Sequence, residues 1–346
     1  MIELAGMYPD ELKEWLISRG EKPFRAGQVF SWLGRGRSFD EMTDLDLGLR
    51  RKLKEECVDT AVMIRTVRKS GIDGTRKFLF GLRDGNCVEG VLMRYRYGCT
   101  LCISTQVGCR MGCRFCASTL DGRVRDMTAA EMLGEVTQVN RLLESDGESI
   151  HNIVLMGSGE PLDNYDNTVR FLRLVGHEKG VNIGMRHISL STCGLVNEML
   201  RFSEEGLPVT LSVSLHAPND EIRKKLMPVA KSYSIRQVLD ACRVYIEKTG
   251  RRIVFEYALV DGVNSRREHA AMLADLLRGM QCHVNVIPLN DVPERDLKGV
   301  SEKQVAEFLE VLADKHISAT RRREIGDDIE GACGQLRKKY LDGGVQ

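Results

Sequence analysis

Over the first 58 residues apolar side chains recur every three or four positions. PDELKEWLISRG opens on Pro9 and Asp10 and stops at Gly20, and FRAGQVFSWLGRG and LDLGLRRKLKEEC repeat the spacing, so short helices are predicted. Trp15, Trp32 and Phe24 fall at core-like positions of this unit. Between 60 and 98 the period shortens: VMIRTV, KFLFGL and CVEGVLMRYRY are alternating or β-branched runs divided by the turn signals GIDGT and RDGN. From about residue 100 the strand-like runs TLCIST, NIVLM, HISLST, VTLSVSL, RIVFEYALV and HVNVIP are each separated by an amphipathic segment, the rhythm of βα units around a parallel sheet. Thr128 with Glu131 three positions on is a capping-box start for one of those helices. The pattern divides the chain into a helical accessory domain (1–58), a β-rich connector (59–98) and an α/β domain (99–346).

In a parallel βα array the loops that leave the strands meet on one face, and functional groups gather there. The cysteine cluster, GSGEPL, STCG, SLHAP and the IPLN turn each follow a predicted strand. Five segments distant in sequence are thus expected at one mouth.

Composition narrows the classes. The chain is 346 residues long, 42% hydrophobic and 29% charged, enough apolar material for a large core and a smaller accessory domain. An acidic N-terminus and the lack of a long apolar run argue against a signal peptide or membrane span, so the expectation is a cytoplasmic protein with no membrane partner. Net charge is +1, and any nucleic-acid surface must therefore be local. Eleven cysteines in a reducing compartment direct attention to metal binding or catalysis.

QVGCRMGCRFC places Cys109, Cys113 and Cys116 in a CxxxCxxC spacing within one loop. Three protein ligands on a four-iron cluster leave one iron open. A zinc knot with Cys99 or Cys102 as fourth ligand is the structural alternative, and an electron carrier or structural metal protein the functional one. With Phe115 before the last cysteine, the spacing resembles the signature of the radical S-adenosylmethionine (SAM) superfamily. That resemblance implies a partial (β/α) barrel, one 4Fe–4S cluster on Cys109, Cys113 and Cys116, and SAM bound to the open iron. MGSGEPL is similar to the motif that holds the SAM amino group. Matching motif positions assign SAM contacts to Gly159, Glu160, Ser191, Ser214, Leu215, His216 and Asn290. Read alone, each of these is a turn at a strand end.

Cys102 in TLCISTQVGC and Cys333 in RRREIGDDIEGACGQL, with FRAGQVFSWL and SFDEMTDLDLGLRRKL near the N-terminus, resemble the RlmN family of adenine C2-methyltransferases and its antibiotic-resistance relative Cfr. The resemblance implies Cys333 as a methyl-carrying S-methylcysteine, Cys102 as the thiol that resolves the RNA adduct through a transient disulfide with Cys333, and Glu89 as proton acceptor. It implies two SAM molecules per turnover, and as substrates 23S rRNA, as a protein-poor precursor, and transfer RNA. A flavodoxin- or ferredoxin-type reductant is implied as well. GEPL and GDDIEGACGQL point to C2; methylation at C8, the Cfr outcome, is the alternative. Arg94, Arg96, Arg110, Arg114, Arg123, Arg125 and Arg321 to Arg323 are available for phosphate contacts, although salt-bridged surface is the plainer reading of any one of them. The remaining cysteines read as core thiols.

Overall fold

The apolar stripes of the first 58 residues fold as the spacing requires. In the computed structural model, which describes residues 1–289, 296–323 and 325–329, β1 (Ile2–Glu3) leads into α1 (Pro9–Ile17), α2 (Arg25–Gly34) and α3 (Leu47–Glu56). Strand β2 (Cys57–Val58) returns to pair with β1 in parallel. Pro9 starts α1 where its missing N–H costs nothing, and Glu11 reaches back to the Tyr8 amide at 2.8 Å. Asp46 caps α3 by accepting from the Leu49 amide at 2.9 Å. Leu12, Leu16, Val29, Leu33, Leu49 and Leu53 enter the same core as the α/β part. Of the aromatic residues expected in that core, Trp15 and Trp32 are half-buried. Phe24 is not: it stands at the N-cap of α2, off the helical stripe, 57% exposed under the Arg25 guanidinium.

The next three runs are β3 (Val62–Lys69), β4 (Arg76–Leu82) and β5 (Cys87–Tyr95), paired antiparallel. They extend the α/β sheet directly, because β5 pairs with β6 (Gly98–Ile103). A small ribbon, β7 (Gln106–Gly108) with β8 (Arg123–Asp126), carries the cysteine loop between its strands. There follow α4 (Ala129–Leu143), β9 (Ile150–Leu155), α5 (Tyr165–Val175), β10 (Ile188–Thr192), α6 (Val196–Ser203) and β11 (Thr210–Ser214). The chain continues through α7 (Asp220–Leu226), α8 (Ile235–Thr249), β12 (Ile253–Leu259), α9 (Arg267–Leu277), β13 (Cys282–Pro288), α10 (Glu302–Asp314) and β14 (Ala319–Arg321). The sheet runs β14-β13-β12-β11-β10-β9-β6-β5-β4-β3, parallel from β14 to β6, and its two edge strands are not paired with each other. This is the expected α/β partial barrel. The capping box at the start of α4 is present, with Thr128 and Glu131 exchanging hydrogen bonds of 2.9 and 3.1 Å.

Parallel strands covered on both faces are apolar throughout, and these are not. Ile188, Leu190, Leu211, Val213, Ile253 and Phe255 join the core beneath the helices. The alternate positions Ser189, Ser191, Ser212, Ser214, Glu256 and Asn285 share the opposite face through the ladder register. A closed barrel of this kind fills its interior with branched aliphatic side chains; this sheet keeps polar groups there, as a ligand site requires. Among the described residues no helix is long and apolar enough to cross a membrane.

Candidate active site

The cysteine loop is wound tightly around its last two cysteines. Cys116 N donates to Cys113 O at 3.1 Å, and Thr119 Oγ1 donates to the carbonyls of Cys113 and Cys116 at 3.2 and 3.0 Å. Cys109 and Cys113 are buried and Cys116 is half-buried. Burial pushes the Cys109 thiol up to about 12, with the charges of Cys116, Glu160 and Asp163 adding to the rise; Cys113 is raised by burial and by the charges of Cys116, Cys109 and Glu160. Thiolates so placed need a positive centre beside them, and a polynuclear iron site supplies one. Among the described residues no three His, Cys, Asp or Glu side chains converge as ligands of a single ion do. Three cysteines spaced within one loop suit a cluster with one iron left open, and lack the fourth ligand that a closed zinc site takes.

The strand-end loops close around this one. Phe115 packs edge-on against His216, ring centroids 4.6 Å apart, which fixes SLHAP against the cysteine loop. Gly159 has φ +113°, and a Cβ there would lie 2.7 Å from Gln106 N, so GSGEPL can fold onto β7 only with glycine at this position. The buried Glu160 accepts from Leu162 N (3.2 Å) and Cys193 N (2.7 Å), tying GSGEPL to STCG. Burial raises its carboxyl, opposed by the Cys193 amide and the Thr192 hydroxyl. A carboxylate has about four lone-pair sites, so one bonded in this way can still accept from a further donor. Ser191 pairs with Ser212, and Ser214 with Glu256, so these polar residues lie side by side. His216 adopts φ +53°, its Nδ1 accepting from Ala258 N at 2.9 Å. Burial and the nearby Arg223 hold its imidazole at about 3, hence neutral. Leu215 turns into the helix-side core, leaving its backbone to the site. Asn290 lies outside the described residues.

Glu89 and Cys102 are brought to one face. The register sets Val91 opposite both Cys102 and Lys77, and Leu79 opposite Glu89. Glu89 and Cys102 are 4% and 5% exposed, and Glu89 Oε2 stands 3.2 Å from Lys77 Nζ. Cys102 packs with Val91 and Met93, bordered by Val154, Met156 and Ile325. Ser104 Oγ donates to Glu89 O at 2.8 Å and accepts from Ser158 N at 2.9 Å, so the Glu89 strand and GSGEPL are joined.

Cys333 lies outside the described residues, and the disulfide expected between it and Cys102 therefore has one partner there; no disulfide joins two described cysteines. The segment leading to Cys333 is fastened to the β3–β4 turn. Gly326 N donates to Asp73 Oδ2 at 3.0 Å, Gly71 N donates to Asp328 Oδ2 at 2.8 Å, and Ile325 borders the Cys102 patch.

Several supports were not legible in the sequence. The wholly buried Arg223 donates to Cys193 O (2.7 Å) and Ser214 O (3.4 Å), pinning two loops, yet it sits in DEIRKKL among ordinary surface charges. Gln106 accepts from Glu160 N at 2.9 Å, and Lys77 pairs with Glu89 across strands. None belongs to a local motif. Of the arginines singled out, Arg94 pairs with Glu148, Arg110 with Asp163, Arg123 with Asp126, Arg125 with Glu131 and Arg321 with Glu302, the salt-bridged surface of the plainer reading.

Known proteins share this arrangement. Residues 103–274 match the radical SAM superfamily, and residues 2–58 match the ribosomal RNA large subunit methyltransferase N-terminal domain. A probable dual-specificity RNA methyltransferase RlmN from Alkaliphilus oremlandii is 53% identical over 98% of both chains. One from Clostridium perfringens is 53% identical over 96% of this chain and 95% of its own. The crystal structure of a radical SAM methyltransferase from Sphaerobacter thermophilus superposes with a TM-score of 0.94 at 42% identity, covering 97% of this chain and 99% of that one.

Proposed function

We propose, since this chain belongs to the RlmN family of radical SAM RNA methyltransferases, that it methylates C2 of one adenosine in the peptidyl-transferase centre of 23S rRNA and of the adenosine beside the anticodon of some transfer RNAs. Cys109, Cys113 and Cys116 would hold the 4Fe–4S cluster. Gly159, Glu160, Ser191, the backbone of Ser214 to His216, and Asn290 would hold SAM. Bound there, cluster and cofactor supply a one-electron reductant and a carbon radical, with electrons from a flavodoxin- or ferredoxin-type donor. A radical route suits the substrate, because adenine C2 lies between two ring nitrogens and is too electron-poor to attack a methyl sulfonium.

The chain's own residues do the rest. Cys333 carries the methyl group, taken from a first SAM; that group gives up one hydrogen atom to the radical a second SAM would supply, its methylene adds to the ring, and the surplus electron of the adduct returns to the one-electron carrier as the methylene thioether forms. Glu89 takes the displaced ring proton. Cys102, as thiolate, attacks the Cys333 sulfur; the S–C electron pair passes to carbon, which gains a proton and becomes the methyl group, leaving a Cys102–Cys333 disulfide. The observation that carries this reading is the shared buried face of Glu89 and Cys102, with Ile325 packed against the patch that Cys102 forms with Val91 and Met93. Ile329, the last described residue, precedes Cys333 by four positions, and four residues of chain span at most about 14 Å.

The test is a pair of substitutions. Cys333→Ala should abolish RNA methylation by at least about 100-fold, the lower range for losing a reacting group. Cys102→Ala should accumulate RNA covalently bound to the protein, read as a shifted band that resists denaturation. RNA released unmodified from Cys102→Ala would contradict the assigned roles.

A further inference from the structure

A lysine with no exposed surface is an unusual thing to find beside a buried acid. Lys77 is 0% exposed, the sole lysine among the described residues buried to this degree, and its Nζ stands 3.2 Å from Glu89 Oε2. The two are diagonal neighbours on adjacent strands, since Lys77 pairs with Val91 and Glu89 with Leu79. Leu79, Cys87, Val91 and Cys102 share their face, and the next strand places Arg68 opposite Lys77.

Burying two charges among aliphatic groups and thiols gains little stability, because an apolar pair of similar volume would pack without the desolvation cost. The gain must lie elsewhere. A proton acceptor has to be held in place and charged when substrate arrives, and a charge taken out of water needs a partner of opposite sign beside it. We infer that Lys77 is the positioning residue that holds Glu89 as an oriented carboxylate facing the target ring; this rests on the reading of Glu89 as proton acceptor. In the step itself the ring C–H bond breaks, its electron pair stays to restore the aromatic ring, the surplus electron of the radical adduct returns to the one-electron carrier, and the proton moves to Glu89, while Lys77 keeps its own protons.

The inference is tested on the full-length protein with Lys77→Met, Lys77→Arg and Glu89→Gln. Infrared difference spectra of wild type against Glu89→Gln at neutral pH should contain no protonated-carboxyl band from Glu89. The same comparison in the Lys77→Met background should reveal one. RNA turnover by Lys77→Met should fall about 100-fold, the scale of a lost general base, and deuterium at adenine C2 should slow that variant further. Methyl loading of Cys333, which removes no ring proton, should persist, and Lys77→Arg should restore most turnover. A protonated Glu89 in the wild type, or Lys77→Met turning over RNA at the wild-type rate, would overturn the inference. If Lys77→Met does not fold, the wild-type spectrum and the arginine variant decide. Full turnover by Glu89→Gln would instead remove the base assignment itself, a different failure from a silent Lys77→Met beside an inactive Glu89→Gln.

Discussion

A thiol enclosed by aliphatic groups keeps its proton unless something positive lies beside it, and Cys109 and Cys113 are in that position. Cys113→Ser should therefore purify without its iron and without the visible absorption of a cluster, while far-ultraviolet circular dichroism stays that of the wild type; retained iron would argue against the ligand assignment. At Gly159 the constraint is steric. An alanine there would combine an unfavourable φ with a backbone collision at 2.7 Å, so Gly159→Ala should weaken SAM binding, measured calorimetrically under anaerobic conditions, by about tenfold or more, the equivalent of about 1.4 kcal/mol. These residues were legible because each belongs to a short motif whose spacing survives in one dimension. Lys77 and Arg223 were not, since what defines them is a partner on another strand or loop and a degree of burial that no local pattern encodes.

Among the elements, the parallel strands announced themselves through length and apolar content, and the alternation in HISLS and TLSVS already contained the polar inner face. Strands β7, β8 and β14 escaped because three or four residues are too few for a period to register. The connector was legible as strands, but its continuity with the α/β sheet depends on Cys102 pairing with Val91, a contact between segments that read as separate. The β3–β4 turn has a further task, holding the segment before Cys333. Burial would raise the Asp73 carboxyl, but hydrogen bonds from Thr75, Gly326 and Ser70 outweigh it and hold the group at about 2. A depressed carboxylate contributes stability above its unfolded value of 3.8 and loses it as pH falls through about 2. Asp73→Asn should accordingly lower the denaturation midpoint at neutral pH and expose the C-terminal segment to protease. The gap from wild type should close as pH falls below 3.8 towards 2; a gap independent of pH would show that the charge of Asp73 is not what fastens the segment.

At the scale of the whole molecule, the helical unit and the α/β part share one core. Gly34 approaches Gly180 so closely that a Cβ on Gly34 would lie 2.6 Å from its Cα, Arg170 binds Glu11 at 2.6 Å, and Thr128 binds Glu3 at 2.7 Å. Removing residues 1–58 should therefore lower thermal stability sharply and expose apolar surface, in addition to any loss of RNA binding; a truncated protein as stable as the full chain would contradict this packing. The net charge of +1 leaves RNA affinity to local cations, whose contribution should weaken as salt rises. Methylation of adenine C2 is tested most directly by giving the anaerobically reconstituted protein methyl-labelled SAM, a reductant and a protein-free 23S rRNA fragment, then identifying the labelled nucleoside after digestion. The expected product is 2-methyladenosine from a single site. Label in 8-methyladenosine, or in no nucleoside while SAM is consumed, would contradict it.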